Sequence, residues 1–121
     1  MKHKVWFDED AGILRMELKG LFTAEDAPEF FSLVDKLYKD KPHRNVLCDL
    51  SEGSAVVPKD KEYRKWLMKM YNDSNFEKIA ITNIHPTLRI LVKVIVAAIG
   101  KTGQMKFFKT EEEALAWLDA K

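Results

Sequence analysis

Residues 44–82, "RNVLCDLSEGSAVVPKDKEYRKWLMKMYNDSNFEKIAIT", decide the fold. The stretch begins with "RNVLCDL" and ends with "KIAIT", two short runs that are apolar almost throughout. That pattern belongs to strands covered on both faces. Between them, from about Pro58 to Asn72, Tyr63, Trp66, Leu67, Met70 and Tyr71 recur at helical spacing and predict a helix that buries this side. A strand, a helix and a second strand in this order close as a parallel pair. The connection "SEGSAVV" leaves three consecutive apolar residues, Ala55, Val56 and Val57, that must cover something.

Upstream, "KVWF" and "ILRMELKG" read as a hairpin turning through Asp10, Ala11 and Gly12. In its second strand Leu14, Met16 and Leu18 alternate with Arg15, Glu17 and Lys19, one face dry and one wet. Thr23 offers a helix N-cap, with Glu25 and Asp26 in the first turn. Ala27, Phe30, Phe31, Val34, Leu37 and Tyr38 then predict an amphipathic helix to about Lys39. Downstream, Pro86 opens a third helix over about residues 86–99, which stops at Gly100. "QMKFFK" is a last strand, and Thr110 with Glu113 forms a capping box ahead of "ALAWL". The order β-β-α-β-α-β-α-β-α, without repeats or linkers, predicts one α/β domain over residues 1–121. Its mixed sheet has mostly parallel later strands, with helices packed on it.

Composition narrows the function. The chain has 121 residues, 46% hydrophobic and 32% charged, with a formal net charge of +1. So even a balance argues against a general nucleic-acid binder, which carries a basic excess on one face. A single cysteine, Cys48, excludes an intrachain disulfide and any multi-cysteine metal site, and its place in "NVLCDL" reads as a buried structural thiol. No two of His3, His43 and His85 have metal-ligand spacing, so no metal is expected. Nor is a cofactor, since no cofactor fingerprint is present. The N-terminus becomes charged almost at once, unlike a signal peptide. The longest apolar run, "ILVKVIVAAIG", is broken by Lys93 and too short to span a bilayer. A cytoplasmic protein without a transmembrane segment is expected.

The element order, "VLCDLS" after the first helix and the closing "FFKTEEEALAWL" resemble the STAS domain. "VWFDEDAGILRMELKG", "FTAEDAPEFFSLVDKL" and "KIAIT" look more closely like the SpoIIAA-like family of small bacterial proteins. The resemblance spans nearly the whole chain. It implies a non-enzymatic regulatory module. In the anti-sigma-factor antagonists of the STAS family, a serine at the start of the helix after this strand is phosphorylated, in a pattern of roughly Asp-Ser-Ser-Gly. The matching positions here fall near Val57, Pro58, Lys59 and Asp60, without a hydroxyl or a glycine. The phosphoserine switch does not carry over, and neither Ser51 nor Ser54 occupies the matched position.

The third helix is the strongest anomaly. Arg89 and Lys93 form a narrow polar stripe, and Leu88, Ile90, Leu91, Val92, Val94, Ile95, Val96, Ala97, Ala98 and Ile99 fill nearly all the rest. A helix lying on a sheet needs an apolar arc of only about 100°. The excess belongs under other elements, in a subunit interface or along a ligand groove. If the strands ending at Ser51 and Thr82 are parallel, their carboxyl ends bring the two following loops to one sheet edge, where open α/β sheets bind ligands. Ser51, Ser54, Val56, Val57, Thr82, His85, Arg89, Ile90, Lys93 and Val94 are therefore the candidate binding residues. His85 reads first as a plain cap or loop residue at the mouth of the third helix, and second as a ligand contact at the helix N-terminus. Two functions remain open. One is a binding module acting on a protein partner, or on itself as a homodimer. The other is a carrier of a small apolar or acidic amphipathic molecule near the third helix. No nucleophile–base pair suggests an enzyme.

Overall fold

Alternation and helical periodicity produce the expected elements, in a computed structural model that describes residues 3–19, 25–41, 43–52, 61–73, 75–98, 100 and 102–119. The strands are β1 (Lys4–Asp8), β2 (Ile13–Lys19), β3 (Asn45–Glu52), β4 (Lys78–Thr82) and β5 (Met105–Phe108). The α-helices are α1 (Ala27–Tyr38), α2 (Lys61–Asp73), α3 (Pro86–Ala98) and α4 (Glu111–Asp119). They build one five-stranded sheet in chain order, β1-β2-β3-β4-β5. β1 is antiparallel to β2, and every later pair is parallel. Gly12 turns the β1–β2 hairpin at φ +68°, a backbone region that suits a residue without Cβ.

Each strand sends alternate residues to opposite faces, and the two faces are covered unequally. On one, Leu14, Met16, Val46, Cys48, Leu50 and Ile81 pack with Phe30, Val34 and Tyr38 of α1 and with Val92 and Val96 of α3. Trp66 of α2 joins this cluster from its edge. The other face holds Ile13, Leu47 and Ala80, closed by Ala114 and Leu118 of α4. Three crossover helices thus share one face and α4 occupies the other, the layered arrangement of α/β folds. Phe30, Leu14, Ile81, Val34 and Val46 are the largest fully buried side chains, so the α1 side holds most of the core.

One expectation about helix ends needs correction. α1 begins at Ala27 rather than after Thr23, a residue that lies outside the described set. Asp26 stands at the cap position without a capping hydrogen bond. Its carboxylate is turned to His3 instead, at 3.1 Å, while Pro28 presets the first turn. At the other end of the chain the Thr110 cap forms: the Glu113 N–H donates to Thr110 Oγ1 at 3.2 Å, and the hydroxyl donates to Glu113 Oε1 at 3.3 Å. The carboxylate closes the box through the hydroxyl, a variant of the usual reciprocal arrangement.

Candidate functional site

α3 starts at Pro86, and the preceding His85 caps it: the Thr87 N–H donates to His85 Nδ1 at 3.2 Å, and the Arg89 N–H to the His85 carbonyl at 3.0 Å. The imidazole is thereby occupied in holding the helix start. From there the helix turns Val92, Ile95 and Val96 into the protein, with Leu88 and Leu91 half-buried beside them. Arg89, Ile90, Lys93, Val94 and Ala97 face outward.

The apolar excess read in the sequence thus divides. Val92, Ile95 and Val96 go to the interior, but Ile90 is 66% exposed and Val94 61% exposed. Residues four apart stack on one helix face, so these two form a short apolar ridge. Arg89 and Lys93 form the neighbouring ridge with the same spacing. The Lys93 ammonium leans back over the Phe107 ring of β5, 5.6 Å from its centroid. Burying both branched side chains contributes about 1.5–3 kcal/mol each if covered completely. Two cations, Arg89 and Lys93, stand exposed beside them.

The remaining predicted site residues fall in different places. β3 and β4 are parallel with Asp49 beside Thr82, so the two carboxyl ends do share an edge. Thr82 itself is buried at the end of β4. By strand alternation its side chain lies with Ala80 on the α4 face, away from Arg89 on α3. The convergence expected of Thr82 with His85 and Arg89 therefore does not occur, because β4 turns its odd- and even-numbered residues to opposite sides. Ser54, Val56 and Val57 lie outside the described residues, as does the side chain of Ser51.

Cys48 is fully buried, and desolvation, aided by the charge of Asp49, pushes its thiol up to about 12. That group is inert as a nucleophile at neutral pH. Burial likewise pushes the Tyr38 phenol up, against the lowering effect of Arg44, and its hydroxyl donates to the Asn45 carbonyl at 2.6 Å. Among the described residues no group of three or more His, Cys, Asp or Glu is placed to hold a metal ion. No helix among them is long and apolar enough to cross a membrane.

Two features escaped the sequence reading. His3 is buried and bonded on both ring nitrogens. A groove of about 820 Å³ opens at the amino ends of β3 and β4, the edge opposite to the one expected. Chain segments far apart in sequence build both, and the only local signal was a histidine placed directly before an apolar strand.

Comparison with known proteins agrees with this architecture. A structure from Shewanella loihica PV-4, an uncharacterized protein of the DUF3478 family with a SpoIIAA-like fold, is similar at a TM-score of 0.64 and 20% identity. The similarity covers 96% of this chain and 91% of that one, and it shows the fold. No curated protein matches the sequence. The SpoIIAA-like family model matches residues 13–119, from β2 to the last residue of α4. With that match over most of its length, the chain belongs to the SpoIIAA-like family.

Proposed function

We propose that this protein is a non-enzymatic binding module of the STAS type, docking a protein surface on the outer face of α3. The SpoIIAA-like fold suggests a STAS-type regulatory module. The observation that carries the finer reading is the exposure of Ile90 and Val94, one turn apart and flanked by Arg89 and Lys93. Large apolar side chains are uncommon at such exposure in a contiguous ridge, and a ridge rimmed by charge is the usual form of a docking surface. The occupant is a protein partner with an apolar groove and acidic rim, or a second copy of the chain. Regulation by phosphoserine is absent from this reading, since Val57 and Pro58 stand where the family's switch would be.

A second reading draws on the same juxtaposition of cations and branched side chains: an acidic amphiphile held against α3, carried or sensed. Native mass spectrometry of gently purified protein separates the two. A complex of two chains, or of one chain with a partner, that is lost in an Ile90→Glu/Val94→Glu variant supports docking. A single chain carrying an extra few hundred daltons, lost in an Arg89→Glu/Lys93→Glu variant, supports the carrier. A bare monomer that bound neither would overturn both.

A further inference from the structure

The groove at the amino ends of β3 and β4 is independent of α3 and has its own chemistry. At about 820 Å³ it falls within the size range of small-molecule sites. Phe7, Ile13 and Leu118 give it an apolar lining. Asn45 lines it too, and the Asn45 side-chain oxygen is buried without a hydrogen-bond partner. A buried amide oxygen left unpaired is costly, and the terminal torsion of asparagine is soft. Turning that amide toward the groove, onto an incoming N–H donor, removes the penalty.

Lys78 is the neighbour of Asn45 across the β3–β4 pair. The Trp117 carbonyl accepts from its ammonium at 3.2 Å, and the Trp117 ring centroid lies 5.3 Å away, so α4 fixes this cation at the groove wall. Lys41 places a second ammonium 4.5 Å from the Phe7 centroid. Against these stand Glu77, which faces His43 at 2.9 Å, and Asp119. Two ammonium groups and two carboxylates leave the lining balanced. A net anion meets Glu77 and Asp119, a net cation meets Lys41 and Lys78, and a purely apolar molecule leaves Asn45 unpaired.

We infer that this groove binds an α-amino acid with an apolar side chain as its zwitterion: the ammonium donates to the Asn45 amide oxygen, the carboxylate accepts from Lys78, and the side chain lies over Ile13 and Leu118. The binding is non-covalent and needs no cofactor. It stands or falls apart from the proposal for α3, since the two surfaces share no residue.

The test is a titration of ¹⁵N-labelled protein followed by two-dimensional NMR, with three probes: L-phenylalanine, phenethylamine and 3-phenylpropanoate. L-Phenylalanine produces saturable shifts at the amides of Ile13, Asn45, Lys78 and Leu118. The two probes lacking one charge bind at least about tenfold more weakly, the loss of one charge-assisted hydrogen bond. Lys78→Met keeps the stem and removes the ammonium; it weakens L-phenylalanine by a similar factor and leaves phenethylamine unchanged. Retained spectral dispersion shows that this variant is folded. Shifts of equal affinity for all three probes would overturn the inference. So would shifts confined to α3, or no saturable shift at the four amides.

Discussion

His3 and Asp26, 23 residues apart, meet with the imidazole Nε2 at 3.1 Å from the carboxylate Oδ2. On the other side of the ring, the Lys19 N–H donates to Nδ1 at 3.0 Å. Nδ1 is thus the acceptor and Nε2 carries the hydrogen, so one side chain fastens the end of β2 to the start of α1. The ring lies edge-on to Phe30 at 6.5 Å, within the core.

Replacing it is therefore expensive. His3→Ala removes both hydrogen bonds and opens a cavity beside Phe30. Destabilisation of about 2–4 kcal/mol is expected. Asp26→Ala, at a partly exposed position, costs about 1 kcal/mol. Urea unfolding of the three proteins measures this, with a lower midpoint and an unchanged slope.

The buried Cys48 thiol makes stability fall in alkali. In the unfolded chain it ionises near its ordinary value of 9.0, in the folded protein only near 12. Between these values the unfolded state has released a proton that the native state keeps, so stability declines as pH rises. It is fully present below pH 9 and is lost progressively above that until the folded thiol also ionises. Tyr38, pushed up by burial, acts in the same direction at higher pH. Denaturant midpoints between pH 7 and 11 should fall less steeply in Cys48→Ala than in the parent. The native thiol should also resist alkylation until the protein unfolds.

Thr110→Ala removes the hydroxyl that caps α4. The Glu113 N–H loses its acceptor, and a loss of about 1 kcal/mol is expected. Because, among the described residues, α4 closes the face holding Leu47 and Ala80, amide exchange should accelerate first at Ala114 and Leu118, before that of β2 or α1.

How far the sequence carries such reasoning depends on how local each signal is. The alternation of Leu14, Met16 and Leu18, the helical spacing of Phe30, Val34 and Tyr38, and the Thr110 cap are all readable within one or two turns of chain. They position the sheet and its layers. The direction of Thr82 is equally readable, since parity with Ala80 sends it to the α4 face. His3 was not readable, because its partners lie 16 and 23 residues away. Nor was the amino-edge groove, assembled from the hairpin turn, the starts of β3 and β4 and the end of α4. On α3 the apolar excess was visible, but which residues faced out depended on the docking angle. Packing alone separates Ile90 and Val94 from Val92 and Ile95.

Ile90→Glu/Val94→Glu should change stability by no more than about 0.5 kcal/mol, as exposed positions generally do. Any loss of binding in that variant then reports on the surface and not on the fold.

The central claim is that the outer face of α3 is covered by a protein surface in the working state. Site-specific photo-crosslinking tests it most directly, with benzoylphenylalanine at Val94 in one protein and at the exposed Glu112 of α4 in another, irradiated in the expressing cells. The account predicts a discrete adduct from position 94, of one chain with a second copy or with a single partner, lost when Ile90→Glu is added. Position 112 should give none. No adduct from position 94, or the same adducts from both positions, would contradict it.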